Sequence, residues 1–430
     1  MAKDATFIWL TDLFNRFRLD GHEIWLVGGC VRDYWLKCEI KDHDLCTSAS
    51  LDETKAIMSE LGANIIERGG GSYGTAACIY LGHEIEITSF RGESYEPNNR
   101  KPATTYGVSL EEDLLRRDFT INAMTMDENA DLNFGSRQTM LGFNDLLGQR
   151  VLRSPGSASE MCLDDPLRVL RLYRFAHRLD LKVDPELRQA ARNLAHKIDT
   201  LSKERIHDEL IKICQLPNAH EAIREMIYDG VMERIIPGLH ELIGFKSYDG
   251  DVLPPLEHKL NMIKLLKSNL DTSYHSVLSI LMTGTGRTSG HVAGLLKFSK
   301  KDMDIICKLT TMSTYTAERD WDRASARKYV RNCKGLHLYA MAIMRADLMS
   351  RGANLEVFTK LESHVSMFTE EELRFLLNPK PILDGEEVKQ ILGIADGSEL
   401  GNWLRILTDC AVNETITTKE GAVEWLIQQV

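Results

Sequence analysis

The hydrophobic periodicity of this chain changes once along its length, and that change limits the fold more than any single motif does. In the first third, strand-like runs such as WLVGG, TAACIYL and HEIEITSF alternate with helix-like ones, so a sheet is expected there. From about Pro166 onward apolar residues recur at helical spacing through LRVLRLYRFAHRL, LRQAARNLAHKI, ERIHDELIKICQL and AHEAIREMIYDGVMERII, and almost nothing reads as a strand. An α+β chain is therefore predicted, with a sheet-and-helix part first and helices after it. Two softer features refine this. The polar, Pro- and Asn-rich stretch Arg91 to Thr104 reads as a mobile loop beside the sheet, and a Gly- and Pro-marked break near Leu377 to Asp384 sets off a last small helical segment.

Length and composition narrow the function classes. A chain of 430 residues has room for roughly two to four domains with cores of their own. Nine scattered cysteines without a CxxC pair argue for reduced, packed thiols rather than a disulfide framework or a zinc site, and Cys30, Cys38 and Cys46 are read as packing residues. No run has the uninterrupted apolar length of a membrane span, and the opening MAKDATFIWLTDLFNRF breaks where a signal peptide needs an apolar core, so a cytoplasmic protein without membrane partners is expected. A net charge of -11 opposes general affinity for nucleic acid but leaves room for local basic surfaces. The Arg168/Arg171/Arg174 series and DRASARKYVRNCK are two such places.

Three clusters carry chemistry. In LVGGCVRDYWLKCEIKDHDLCT, Gly28 and Gly29 end a strand where a side chain would collide with a ligand, and Arg32 and Asp33 open a helix. Asp42 and Asp44 are two apart, so an extended backbone turns both carboxylates to one face, able to grip one hard cation. The second cluster, EEDLLRRDFTINAM, places Arg116 and Arg117 before Asp118 and Asn122. Two guanidinium groups can neutralise phosphates while a carboxylate accepts from a ribose hydroxyl, although a capped helix with surface ion pairs has the same pattern. The third begins a helix at Asp164-Asp165-Pro166-Leu167-Arg168, with Asp165 as the N-cap and proline at the first helical position. Asp165 and Arg168 could form a local ion pair. Their acceptor and donor also match the pairing edges of cytosine and adenine and oppose those of uracil and guanine, since an unpaired polar edge in a dry pocket is heavily penalised.

The order GGxVRD, DxD, EEDLxRRDFTINAM, DPLRxLRxxRF and KERIxxEL closely resembles the class II tRNA nucleotidyltransferases, the CCA-adding enzymes that share ancestry with bacterial poly(A) polymerases. The likeness is strongest from Leu26 to about Leu210, with weaker echoes in MRADLMSRG and ILDGEEVKQILGIADGSELGNWL. It implies a polymerase-beta-like nucleotidyltransferase head at residues 1–150, a helical neck with the base-selecting helix at 151–220, a helical tRNA-binding body at 221–376 and a small tail at 377–430. Carried over residue by residue, it implies that Gly28, Gly29 and Arg32 hold the triphosphate and that Asp42 and Asp44 are the catalytic carboxylates binding two magnesium ions. Glu86 is a candidate third acid, or else a strand-face carboxylate paired with Arg91. Arg116, Arg117, Asp118 and Asn122 match the ribose and phosphate motif, and Asp165 and Arg168 match the base-selecting template, with Asp164 in place of a glutamate. Arg171 and Arg174 are taken with these as nucleotide-binding residues. Glu204, Arg205 and Glu209 match a last motif that braces the template helix through ion pairs.

Two departures qualify the resemblance. An Asp-Pro-Phe-Gly-Gly turn is common before the base-selecting helix and is thought to act as a hinge between C- and A-accepting shapes, but QTMLGFNDLLGQRVLR keeps only Gly142 and Asp145 there. A histidine/aspartate phosphohydrolase module often follows the core. Here LMTGTGR stands where its His-Asp pair is needed, so His258 and His275 are expected to be ordinary helix residues. The implied reaction is template-independent addition of C, C and A to the 3′ end of tRNA from CTP and ATP, with pyrophosphate released. The tRNA would be recognised by backbone shape through basic patches on the helical part. The alternatives are a CC-adding or A-adding enzyme, a poly(A) polymerase, or a tRNA-binding protein without turnover. A strand resembling the tRNA enzymes' GTV type and the lack of a long basic C-terminal extension lean against poly(A) synthesis.

Overall fold

The computed structural model describes residues 6–67, 74–94, 103–246, 253–268, 273–283, 289–313 and 320–429. The chain divides into two compact units: residues 1–209 with 229–234, and residues 210–228 with 235–430.

In the first unit, alternating apolar residues build strands β1 (Ile24–Val27), β2 (His43–Thr47), β3 (Asn64–Ile66), β4 (Thr75–Tyr80), β5 (His83–Ser89), β6 (Arg91–Ser94), β7 (Ala103–Tyr106) and β8 (Thr125–Met126). Six of them form one mixed sheet in the order β3-β4-β5-β2-β1-β8. The β2–β5 pair is parallel and sets Asp44 opposite Glu86; the other pairs in that sheet are antiparallel. Helices α1 (Thr11–Leu19), α2 (Gly29–Trp35) and α3 (Leu51–Glu60) pack against these strands. Leu10, Leu13, Phe14, Phe17, Ile24, Leu26 and Ile85 are fully or almost fully buried there. A second core lies around Cys46, two residues on from Asp44, with Val27, Phe90, Leu114 and Ala123. Strand alternation puts Cys46 and Asp44 on one face. The packed end of that face supports Asp44, while Asp42 is exposed.

The stretch Arg91 to Thr104 differs from the loop its composition predicts. Its described ends are strands, β6 and β7, paired as an antiparallel ribbon with Arg91 opposite Tyr106 and Ser94 opposite Ala103; residues 95–102 lie outside the described residues. After the ribbon, α4 (Leu110–Leu115) opens on a reciprocal cap between Ser109 and Glu112. A 3-10 turn at Thr120–Asn122 then leads into β8. Next come α5 (Arg137–Phe143), a π-helical turn at Asn144–Gln149, α6 (Ala158–Asp164) and α7 (Leu167–Leu179). Position Gln138 to Gly142, where the resemblance leads one to look for a hinge, is thus a packed helix. A Cβ built on Gly142 would lie 2.2 Å from the Thr120 carbonyl oxygen and 2.6 Å from Met124 Cγ, so glycine lets α5 touch the 3-10 turn. Below that contact the buried Asp145 accepts the Thr120 hydroxyl at 2.8 Å.

The second unit is helical in its described residues. Pro255–Ser268 packs on His337–Arg351, and Tyr274–Met282 on Lys300–Met312. Its last segment has its own small core of Leu383, Val388, Leu400, Leu407, Ala422 and Leu426. His258 Nε2 lies 2.8 Å from Asp347 Oδ1, and His275 Nε2 lies 2.9 Å from Asp302 Oδ1, so both histidines are engaged in local pairs. Residues 284–287 of LMTGTGR lie outside the described residues. Beside His258, the buried Lys259 ammonium donates to the carbonyls of Ile280 and Thr283, and burial lowers its pKa to about 8. The basic run DRASARKYVRNCK is not an open positive face. Arg323, Arg327 and Arg331 of the helix Arg323–Cys333 pair with Glu372, Glu414 and Asp409, because their four-residue spacing keeps them on one side of the helix, toward acids of neighbouring segments. No helix among the described residues is long and apolar enough to cross a membrane.

Gly142→Ala tests the close approach of α5. A methyl group forced against backbone costs about 1–3 kcal/mol, so urea denaturation should show a lower midpoint for the variant; an unchanged midpoint would mean that the contact is loose.

Candidate active site in the first unit

Gly28 ends β1 at φ +81 and ψ -131, a conformation that side chains disfavour. A Cβ there would lie 3.5 Å from Arg117 Nη1 and 3.7 Å from Asp44 Oδ2. The glycine therefore brings backbone between a cation and an acid. On the other side of Asp44 a cavity of about 410 Å³ is lined by Asp42, His43, Asp44, Glu84 and Glu86. Burial pushes the Asp44 carboxyl up to about 6; Arg117 opposes that shift, while Glu86 and Asp42 add to it. A buried acid beside two others favours a cation in the cavity.

Arg117 is positioned by Asp113. The Asp113 carboxylate is 0% exposed; Oδ2 accepts Arg117 Nη2 at 3.2 Å, and Oδ1 accepts Arg116 Nη2 at 2.6 Å and the Arg91 N–H at 3.2 Å. Burial by itself raises its pKa, but Arg117 and Arg116 outweigh burial and hold it below the usual carboxylate range. Arg117 Nε is buried with no hydrogen-bond partner among the described residues, which fits an anionic ligand that supplies one. Arg116 is turned away, its Nε on the Arg91 carbonyl at 3.0 Å. The capped helix read as one account of this cluster is thus present, but its ion pairs are buried. The Asp113 spacing of three and four residues to the arginines was the available signal, as the alternation of HEIEI was for Glu84.

Arg32 is 4% exposed and sits inside α2 instead of opening it. Nη1 donates to Asn122 Oδ1 at 2.5 Å, and Nε and Nη2 donate to Asp33 at 2.8 and 2.9 Å; a Cβ on Gly29 would meet Nη2 at 3.6 Å, an ordinary contact. Asp118 is similarly committed. Its Oδ1 accepts Asn122 Nδ2 and the Phe119 N–H, each at 2.9 Å, and its Oδ2 accepts Arg171 Nε and Nη2 at 2.9 and 2.5 Å. Burial raises the Asp118 pKa, but Arg171 and these hydrogen bonds bring it below the ordinary value. Its four acceptor positions are filled by the protein.

Asp165 and Arg168 do not form the local ion pair that spacing allows. Asp165 Oδ1 caps the Leu167 N–H at 3.1 Å and Oδ2 accepts Arg205 Nη2 at 2.7 Å, with Pro166 at the N-cap position of α7. Arg168 Nη2 donates to the Arg116 carbonyl at 2.7 Å. Arg174 is buried and pairs with the buried Glu209, its guanidinium 4.2 Å from the centre of the Phe175 ring. Arg32 and Arg171 also approach that ring, each at 5.1 Å. Of the cysteines in the opening motif, Cys30 and Cys46 are buried, whereas Cys38 is exposed and is not a core packing residue.

Among the described residues, no group of three or more His, Cys, Asp or Glu side chains is placed to hold a metal ion by itself.

Comparison with known proteins agrees with this geometry. Residues 24–152 match the Poly A polymerase head domain, and residues 180–243 match the family described as a probable RNA and SrmB-binding site of polymerase A. A CCA-adding enzyme of Streptococcus uberis is 28% identical over 421 residues, 97% of this chain and 95% of that one. The chain belongs to the tRNA nucleotidyltransferase/poly(A) polymerase family. A further member, the CCA-adding enzyme of Lactobacillus delbrueckii subsp. bulgaricus, is 36% identical, but the match spans about half of each chain, 51% of this one and 53% of the relative. The family fold is shared along the whole length. The Bacillus stearothermophilus CCA-adding enzyme in complex with CTP aligns with a TM-score of 0.72 at 22% identity, covering 98% of this chain and 97% of that one. The Thermotoga maritima enzyme complexed with tRNA aligns at 0.64 and 20% identity, covering 100% and 97%.

Asp113→Asn tests the electrostatic support of the site. Removing one partner from a buried charge cluster costs about 3–5 kcal/mol, so the variant should be much less stable at neutral pH. A depressed carboxylate pKa stabilises above the unfolded value, near ~3.9, and that contribution is lost as pH falls through the lower folded value. The stability gap measured by urea denaturation should therefore narrow below about pH 4. A gap independent of pH would remove Asp113 from this role.

Proposed function

We propose that this chain adds C, C and A to the 3′ end of tRNA, using CTP and ATP and releasing pyrophosphate. The observation that carries the reading is the acidic cavity of Asp42, Asp44 and Glu86 directly beside Gly28 and the incompletely bonded Arg117. Acids that gather cations next to an arginine that gathers phosphate are what nucleotidyl transfer requires. CCA-adding enzymes with the same fold have been solved in complex with CTP, with ATP and with tRNA.

In this reading the triphosphate lies along Gly28 and Arg117, with Arg32 acting through Asn122 as a brace. Asp42 and Asp44 would hold magnesium, with Glu86 as the third acid; when bound, the metal lowers the pKa of the attacking hydroxyl and neutralises the departing pyrophosphate. No side-chain nucleophile is needed. Asp118 serves by orienting Arg171 and Asn122. Asp165 and Arg168, fixed by Arg205 and by the Arg116 carbonyl, use only part of their hydrogen-bonding capacity and present the remainder to the pairing edge of C or A. Arg174 and Glu209 hold the same helix from within. The head, neck, body and tail divide at residues 150, 220 and 376, and the protein works in the cytoplasm. A CC-adding activity is the second reading, favoured by the packed helix at Gln138 to Gly142 where relatives carry a glycine-rich turn.

Incubation with magnesium, labelled CTP or ATP and tRNAs ending before the CCA, after C or after CC separates these readings. Full CCA addition gives C on the first two acceptors and A on the third; C without A selects the second reading, and no incorporation on any acceptor defeats both. Asp42→Ala should abolish incorporation with tRNA binding kept. Arg168→Ala should relax discrimination against UTP and GTP by roughly tenfold or more, the scale of one good base-edge contact; unchanged base choice would refute that role.

A further inference from the structure

Helix α7 carries Arg168, Arg171, Phe175 and Arg178 at spacings of three, four and three, so the four share one side of it. Arg178 lies in the last turn, outside the three clusters that carry chemistry in the sequence. Its Nη2 is 3.8 Å from Asp33 Oδ2, on α2. The Asp33 carboxylate is only 13% exposed, and both of its oxygens accept from Arg32.

That contact closes a circuit of side chains. From Arg178 it runs to Asp33 and Arg32, from Arg32 to Asn122, and from Asn122 to Asp118; Asp118 accepts Arg171, which returns to α7 seven residues before Arg178. Its hydrogen-bonded links are 2.5–2.9 Å long. Phe175 lies between the two α7 ends, with the Arg32 and Arg171 guanidinium groups each 5.1 Å from its ring centre and Phe119 meeting it edge-on at 5.6 Å. Arg168 and Arg171 tie α7 to the segment Arg116–Asp118, whereas Arg178 ties it directly to α2. Seven residues at 1.5 Å of rise separate the two ends of the circuit by about 10 Å along the helix. A helix tied near one end can pivot; a second tie at that separation fixes its angle.

Resting on the function proposed above, we propose that Asp33 and Arg178 are positioning residues for nucleotide choice, holding α7 at the angle to α2 at which a nucleotide seated by its triphosphate beside Gly28 presents its base to Arg168. Helix α2 starts from Gly28, next to Asp44 and Arg117, and Arg168 is in the first turn of α7. The spacing of the two helices is therefore the spacing between the place that takes phosphates and the place that reads the base. A nucleotide's own bonds set the distance from its phosphates to its pairing edge within narrow limits, so a reader that swings relative to the phosphate site loses discrimination while each end still binds. Arg178 is 44% exposed, and an ion pair so open to water contributes little to folding stability. Its effect is expected in selection and not in melting.

The test is equilibrium binding of CTP, UTP and inorganic pyrophosphate, each with magnesium and without tRNA, to wild type and to Arg178→Met, which keeps an unbranched stem and removes the charge. Wild type should prefer CTP to UTP. In Arg178→Met that preference should fall by about two- to thirtyfold, the range over which side chains along such networks change coupling, with pyrophosphate affinity and thermal melting unchanged. Arg178→Lys should restore most of it, because a cation is returned to Asp33. In an Arg168→Ala background, Arg178→Met should have no further effect on base choice, since no reader is left to position. An unchanged preference in Arg178→Met overturns the proposal. So does an equal loss of affinity for CTP, UTP and pyrophosphate, which general loosening of the site would give, or an effect on base choice that adds in full to that of Arg168→Ala. A wild type without preference for CTP refutes the base-reading role of Asp165 and Arg168, and the proposal with it. Because binding is read without turnover, an Arg178-dependent preference in a protein that incorporates nothing on any tRNA acceptor refutes the function proposed above and leaves the positioning role standing.

Discussion

The carboxylate of Asp113 is the point on which the first unit depends. With no exposure to water, it binds Arg116, Arg117 and the backbone of Arg91 at once. It therefore joins α4 to the β6–β7 ribbon and holds Arg117 over Asp44. The connection continues outward, because the carbonyl of Arg116 receives Arg168 of α7. One buried acid thus sets the positions of two arginines, Arg117 and Arg168, that are 51 residues apart in sequence. Charges removed from water hold geometry only when every partner is present, and here both charged partners lie within four residues of the acid.

A second layer of ion pairs surrounds α7. Arg171 is tied to Asp118, Arg174 to Glu209, and Asp165 to Arg205. Phe175 lies beneath three guanidinium groups, which are attracted to the face of an aromatic ring. The arginine series of this helix is therefore largely an internal scaffold. Its spacing advertises a basic face, and the neighbouring acids turn most of that face inward.

What could be read from the sequence, and what could not, follows the range of the interactions. The strands of the sheet and the helical remainder come from local periodicity, and the shared face of Asp42 and Asp44 follows from strand alternation; these needed no tertiary information. The distant partners of Arg32, Asp118 and Arg168, which are Asn122, Arg171 and the Arg116 carbonyl, lie 90, 53 and 52 residues away from them, and no local pattern names them. Composition misled where two polar segments pair with each other: the ends of the Arg91 to Thr104 stretch read as loop until β6 meets β7. It misled again at DRASARKYVRNCK, where the compensating acids are Glu372, Glu414 and Asp409.

The parallel register of β2 and β5 places Asp44 against Glu86, two like charges on neighbouring strands in a partly buried setting. Pairs of this kind weaken a sheet by a few tenths to about 1 kcal/mol, so β2 and β5 are held together in spite of these two acids. A cation held between these acids would offset that repulsion and so act as a rivet joining β2 to β5.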